Sequence, residues 1–410
     1  MPCYAGLDCS KETTSICVLG ADGSIILEGT VASSPPAIAT FLRRTRQRYV
    51  RVGLESWTMA PWLYDGLLAS RLPAICIDAL HAHRYLKVRR NKTDRNDARG
   101  IAEMMRVGLY RAVHVKSEST RELQALFGLR RTLVGKQLAL ERTVGALLLQ
   151  WGLKMPRGRR RAFEQMATAL ASENATLKEV VGKLLELRAT ITTEVAVAGR
   201  HLEHFAQKDP ICSRLMTAPG VGPMTALAYR IAIEDPGRFA RSRDVAAHLG
   251  LVPRVRQSGG VARYGRTTRR GDLDARTHLF IAAQIALRSG GRSNWLRTWG
   301  ETVAARRGRS KAIVAVARRL AVVLHRMWID GSEFRWDAPP SATYMANAWI
   351  ALPNTNPKNP RAPEIATPFV KMGVGNSDHA GLGRTGMAQN RAAGKAVGDD
   401  PARGPAHSTE

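Results

Sequence analysis

The chain has 410 residues and a formal net charge of +28, long enough for two or three domains with their own cores and basic enough to call for a polyanionic partner, nucleic acid first. No apolar run reaches the roughly eighteen residues of a membrane span; the best candidate, Ala312 to Leu324, is interrupted by Arg318-Arg319. Five cysteines without a C-x-x-C pair argue against a disulfide framework and a zinc site, and Met1-Pro2-Cys3-Tyr4 lacks the charged and apolar regions of a signal peptide, so a reducing, bacterial-type cytoplasm alongside the nucleoid is the expected setting.

Tyr4 to Cys9 reads as a strand in which Tyr4, Gly6 and Asp8 point one way and Ala5, Leu7 and Cys9 the other. Asp8 is thus a carboxylate inside a strand, where Asp is disfavoured. Thr14 to Leu19, the turn Ala21-Asp22-Gly23-Ser24 and Ile25 to Val31 continue as a hairpin. A helix is expected from Ala37 to about Arg48, then a strand, Val50 to Glu55, that ends on a second misplaced acid. Trp57 to Arg71 reads as a helix and Pro73 to Asp78 as a strand, which predicts a sheet with antiparallel and parallel parts.

The helix that follows opens with Lys92-Thr93-Asp94-Arg95-Asn96-Asp97-Ala98. Its two acids are three residues apart, so they share a face with Cβ atoms roughly 5–6 Å apart. Two readings are open: acids that stabilise a helix N-terminus, or hard oxygen ligands for a divalent cation. Asp8 and Glu55 lie on strands that could be neighbours and the acid helix is expected directly after the last strand, so four carboxylates could converge at one end of the sheet.

Gly6-Leu7-Asp8-Cys9-Ser10-Lys11, Gly53-Leu54-Glu55-Ser56 and Lys92 to Ala98, in this order and at these intervals, resemble the RuvC-like DEDD domain of transposases of the insertion sequence 110 family, described as bridge-RNA-guided recombinases. The resemblance implies an RNase H-like (RuvC-like) fold for residues 1–115, with Asp8, Glu55, Asp94 and Asp97 as a catalytic, metal-binding tetrad. Magnesium is the expected ion, as oxygen-only ligands and phosphate chemistry favour it.

Thr120 to Trp151 is expected to be helical, and a second helix is expected over Ala162 to Gln207, after Pro156 and the basic run Arg157 to Arg161. Within it Leu177, Leu184, Ile191, Ala198 and Phe205 recur every seventh residue, flanked by Val181, Val195 and Leu202, the pattern of a coiled-coil seam. The preceding helix, a second chain or both could fill that seam, so residues 116–208 are expected to be coiled-coil or dimerisation helices and the protein a homo-oligomer, dimer or tetramer.

Residues 209–337 form a third, helical region. Ala218-Pro219-Gly220-Val221-Gly222-Pro223-Met224-Thr225 resembles a helix–hairpin–helix, in which Gly220, Gly222 and Thr225 would grip a DNA phosphate; a plain helix–turn–helix corner is the alternative. After a helix over Phe239 to Leu249, the loop Gly250 to Gly260 and the arginines behind it resemble the C-terminal transposase domain of the same family, and the match carries over Ser258 as the catalytic serine. Arg254, Arg256, Arg263, Arg266, Arg269 and Arg270 read as a phosphate-binding face. Thr277 to Arg288 and Arg309 to Trp328 read as closing helices. The tail, 338–410, has seven Lys or Arg against five Asp or Glu and no apolar period, which predicts disorder.

The resemblance implies a recombinase that cleaves and rejoins DNA through a covalent serine ester, directed to element ends, junction and target by an element-encoded RNA. The basic Arg84 to Lys92 segment and Arg157 to Arg161 are the expected RNA face. No histidine neighbours Ser258, His248 being ten residues away, and the helices separate the acids from the serine in sequence. A composite site shared between subunits follows as an expectation. Two rivals remain: a junction-selective endonuclease with the same acids and Ser258 as bystander, and an architectural nucleic-acid-binding protein without activity.

Overall fold

The computed structural model describes residues 1–87, 91–156, 162–258, 261–288 and 293–337, with backbone only at 256–258 and 261–264. The basic run Arg157 to Arg161, the centre of the Arg84 to Lys92 segment and the tail lie outside the described residues.

Strands β1 (Pro2–Cys9), β2 (Thr13–Gly20) and β3 (Ile25–Ala32) form the expected antiparallel meander. Helix α1 (Pro35–Arg43) is N-capped by Ser34, whose side chain accepts from the Ala37 N–H, and starts on two prolines whose fixed φ suits a first turn. It stops five residues before the expected Arg48, because Arg46 takes φ 54° and turns the chain into β4 (Arg48–Glu55). Helix α2 (Ala60–Ala69) crosses to β5 (Ala74–Ile77). The sheet order is β3-β2-β1-β4-β5, with β4 parallel to both β1 and β5. An unexpected short helix, α3 (Ala79–Leu86), capped by Asp78, intervenes before the acid-bearing α4 (Asp94–Val107).

The pleat divides the sheet between two covers. Cys3, Ala5 and Leu7 of β1 join Val52 and Leu54 of β4 in a core against α1 and α2 through Ile38, Leu42, Leu63 and Leu67. Tyr4, Gly6 and Asp8 alternate to the other face, where Ile101, Met104 and Met105 of α4 pack with Ile77.

Helix α5 (Glu118–Gln150) runs antiparallel to α7 (Ala175–Lys208), with α6 (Phe163–Ala171) beside them. The single helix expected from 162 to 207 is broken because Asn174 caps α7 by accepting from the Leu177 N–H. Arg130 lies against Gly199, Gln137 donates to Thr192 and Glu141 meets Arg188, which fixes the pairing of α5 with α7. Of the expected seam, Leu177, Val181, Ala198 and Leu202 are buried on α7, joined by Leu185, Arg188, Gly199 and Ala206; Leu184 and Ile191 are half-buried, and Phe205 is 46% exposed. The preceding helix therefore fills the seam. Its polar layer is Arg188, which donates to Glu141 at 2.7 Å and Glu164 at 2.6 Å and lies over the Phe163 ring.

The C-terminal region packs α8 (Pro210–Leu215), α9 (Pro223–Ile233), α10 (Ser242–His248), α11 (Leu273–Ala286), α12 (Trp295–Arg307) and α13 (Arg309–Asp330) around one core. Helix α12 had no counterpart among the expected elements, since its apolar positions do not form a clean stripe. Ile313, Val316, Leu320, Leu324 and Met327 of α13 are buried, as a core stripe should be. Tyr229, fully buried, donates to the Ala321 carbonyl at 2.7 Å. Buried His325 donates through Nε2 to Pro236 O and accepts at Nδ1 from Ser242; burial pushes it down to about 4, so it is a neutral core histidine. The expected Gly250 to Gly260 loop is instead a hairpin, β6 (Pro253–Ser258) with β7 (Val261–Thr267). Among the described residues no helix is long and apolar enough to cross a membrane, and all five cysteines are free thiols.

One carboxylate ties the N-terminal sheet to this helical region. Glu234, at φ 58° just past α9, accepts from the N–H and hydroxyl of Ser117 and meets His114 Nε2, on the segment that leaves the sheet. Burial alone would raise its pKa, but hydrogen bonds from Ser117, Thr120 and His114 outweigh this and hold it at about 2. A depressed carboxyl contributes stability above its ordinary 4.5 that is lost as pH falls toward 2. Glu234→Gln should therefore cost about 2 kcal/mol in urea unfolding at pH 6, with the difference from wild type shrinking below pH 4.5.

Candidate active site

The site begins with two absent side chains. A Cβ on Gly6 would collide with the Ala102 nitrogen and Ala98 carbonyl oxygen of α4, and one on Gly53 would meet Met105 at 2.7 Å. Glycine at position 6 lets the α4 backbone lie directly on β1, and glycine at position 53 makes room for the Met105 side chain on β4. Because Leu7 pairs with Leu54 in the parallel register, Asp8 and Glu55 end neighbouring strands at the same level, on the face that α4 covers. Asp94 and Asp97 occupy the first turn of α4, which Thr93 caps by accepting from the Asn96 N–H. The four acids therefore meet at one edge of the sheet.

Their electrostatics record that meeting. Asp8 is pushed up to about 6 by burial and by the negative charges of Asp97 and Asp94; Glu55 is pushed up to about 7 by burial, Asp8 and Asp97. Lys92 opposes both shifts. None of the four carboxylates forms an ion pair with a described residue. As the side chains stand, no three Asp, Glu, His or Cys groups among the described residues are close enough to hold an ion. The four acids share one end of the sheet, and two of them feel the charge of the others.

Sequence reasoning passed over Glu28, a third acid within a strand. Its side chain, 9% exposed, takes Arg99 at 2.8 Å and Arg95 at 2.6 Å, and the two arginines hold it at about 2 against the effect of burial. Glu28 pins the first turns of α4 to β3 and engages the arginine that lies between Asp94 and Asp97. The rule that marked Asp8 and Glu55, an acid where strands disfavour one, applied equally to it.

In the C-terminal region, Ser258 ends β6, paired in register with Val261, and Arg256 pairs with Arg263; the side chains of these residues lie outside the described ones. Arg254, Arg266, Arg269 and Arg270 are exposed around the hairpin. Short helices α8 and α9 do flank the Gly220–Gly222 turn. Gly220, at φ 76°, is pressed against the Ala282 carbonyl of α11, Thr225 is 5% exposed, and Gly222 caps α9 with open space where a Cβ would be. Of the three expected phosphate contacts, Gly222 alone stands at an open surface.

Comparison with known proteins agrees with both halves of this architecture. Residues 5–152 match the DEDD transposase model of the IS110 group, described as "Transposase", and residues 212–297 match the model described as "Transposase IS116/IS110/IS902 family". The transposase for insertion sequence element IS1111A of Coxiella burnetii is 30% identical over 348 residues, covering 81% of this chain and 91% of that protein. A probable family 20 transposase of Pseudomonas aeruginosa is 33% identical over 257 residues, 60% of this chain and 75% of its own length. The transposase for element IS1328 of Yersinia enterocolitica is 27% identical over 250 residues.

The class so defined is a DNA-binding enzyme that cleaves and recombines DNA. The chain belongs to the IS110 family of transposases.

Gly6→Ala should separate α4 from β1 at a cost of about 3 kcal/mol, at the upper end for overpacking because backbone atoms are what the new methyl meets. Thermal unfolding and a strand-transfer assay check this; the expected result is a lowered Tm together with lost activity, while Gly135→Ala, in open space on α5, changes neither.

Proposed function

We propose that the chain moves its element by strand cleavage and exchange, with Asp8, Glu55, Asp94 and Asp97 of an RNase H-like (RuvC-like) domain holding Mg²⁺ and Ser258 as the nucleophile. The observation that carries this reading is that four carboxylates share one end of the sheet, two of them with raised pKa values and none paired with a cationic side chain among the described residues. An oxygen-only, over-negative donor set suits a hard divalent cation. When bound, the ion supplies polarisation of the scissile phosphate and charge stabilisation at the departing oxygen.

The chain's own residues do the rest. Exposed Arg254, Arg266, Arg269 and Arg270, with Arg256 and Arg263 of the same hairpin, hold the DNA backbone in place. The Ser258 hydroxyl oxygen forms a bond to phosphorus as the bond to one sugar oxygen breaks; the hydroxyl gives up a proton and the departing sugar oxygen gains one. The resulting phosphoserine ester conserves the phosphodiester bond, and a free strand hydroxyl reverses the step on a new partner. Hydrolysis would forfeit that bond, which is why a recombinase needs the ester. Gly222 contributes N–H groups at the N-terminus of α9 in a helix–hairpin–helix grip. The family resemblance assigns sequence choice to an element-encoded guide RNA, with the net charge of +28 serving its phosphates, and the active assembly is a homo-oligomer in which the acids of one subunit serve the serine of another.

Incubation with Mg²⁺ and labelled junction DNA, followed by a denaturing gel, should show a protein–DNA adduct for the wild type. Ser258→Ala should lose both adduct and exchange by roughly three orders of magnitude or more. Cleavage that survives Ser258→Ala would assign a junction-selective nuclease instead. Mixing Ser258→Ala with Asp97→Ala chains should restore activity above that of either alone; no restoration would place acids and serine in one subunit.

Protein purified with and without nuclease, followed by sequencing of the bound RNA, should return one dominant structured species from the element. A random sample of cellular RNA would remove the guide from the reading.

A further inference from the structure

In the C-terminal region, α12, α13 and the segment after α13 line an open cavity of about 650 Å³, within the range of small-ligand sites. Its walls include three of the chain's eight tryptophans, Trp295, Trp299 and Trp336, and the guanidinium of Arg319. All three indoles pack by one side against the C-terminal core, Trp295 stacked on Phe334 and Trp336 edge-on to it, and line the opening with the remainder of their surface. The Arg319 guanidinium carbon lies 4.4 Å from the Trp299 ring centre and 5.3 Å from that of Trp295. Its Nε is buried and makes no hydrogen bond among the described residues. A donor held dry between two indoles, without an acceptor, costs free energy that a ligand can return.

The surroundings point to the ligand's charge and shape. Arg306, Arg307, Arg309, Lys311 and Arg318 stand exposed on α12 and α13, the two helices that line the cavity, and give them a basic surface suited to a polyanionic strand. Hydroxyls of Thr298 and Thr302 share the wall and suit the donor and acceptor edge of a base. Flat indole and guanidinium faces are the surfaces on which unpaired bases stack.

We propose that this cavity takes one unstacked nucleotide of a single-stranded nucleic acid, its base against Trp299 and Trp336 and its phosphate on Arg319. The site is separate from the acid edge and from the hairpin that carries Ser258, so its function is to capture a displaced or unpaired strand, whatever chemistry cuts it. A duplex, whose bases are stacked within it, cannot enter.

The test uses the full chain, freed of nucleic acid, in EDTA, with 12-nucleotide deoxy and ribo oligonucleotides carrying one 5-iodouracil, and the corresponding duplex. Irradiation should attach the single strand, and not the duplex, to a peptide containing Trp299 or Trp336. The deoxy and ribo arms show which strand is the source, and preference for either supports the site. Trp299→Leu and Arg319→Met should weaken single-strand binding by about 5- to 100-fold, the worth of one base stack. Since both residues also pack against the protein, Thr298→Trp, on an exposed position of α12, fills the cavity without touching the core; it should weaken binding equally at unchanged Tm. Unchanged binding in Thr298→Trp, or equal crosslinking of duplex, overturns the proposal. Asp97→Ala should bind and crosslink as wild type does, so failure here and failure of the serine–acid mechanism give different results.

Discussion

The catalytic half of this protein depends on a close approach of backbone to backbone. Helix α4 rests its backbone on β1 at Gly6 and the Met105 side chain on β4 at Gly53, and the first of these contacts fixes how close the helix lies to the sheet. A methyl group at Gly6 would meet backbone atoms of α4 and shift Asp94 and Asp97 relative to Asp8 and Glu55. The glycines beside the acids are therefore part of the site, although they carry no chemistry.

Having brought four negative charges to one edge, the fold directs the nearby positive charge elsewhere. Glu28 binds Arg95 and Arg99 across α4, and Lys92 is left as the cation that opposes the shifts at Asp8 and Glu55. Burial first, and then the neighbouring acids, hold Asp8 and Glu55 above the ordinary carboxylate range, the signature of an arrangement that a domain would not keep for stability alone. The cost is borne by the core beneath, where both sheet faces are covered and α4 is capped by Thr93.

Much of this was legible from residue pattern. Strand alternation put Asp8 on the side of Gly6, the order of strands gave a mixed sheet, and three short motifs pointed to the family that the comparisons establish. What escaped has physical reasons. The end of α1 was set by a positive φ at Arg46, which no propensity announces, and the break before α7 by a single Asn cap inside an otherwise continuous helical pattern. The seam on α7 follows the heptad at Leu177, Val181, Ala198 and Leu202 and departs from it where Arg188 and Gly199 are buried, positions that a search for apolar residues passes over. Ser258 was placed in a loop because Ser-Gly-Gly reads as a turn, whereas the flanking Pro253 to Gln257 and Val261 to Thr267 pair as strands around it.

The helical hairpin has a cluster of its own far from the sheet, where Val144 and Leu148 of α5 meet Ala167, Leu177, Val181 and Leu185. Its other end is anchored by Phe127 and Leu202 in the core of the C-terminal region. At about 1.5 Å per residue the 33 residues of α5 extend about 50 Å, and the Arg188 layer lies between the two apolar ends. The hairpin thus has an apolar clamp at each end, so a load applied at its tip reaches the C-terminal core through two paired helices and the ionic layer between them.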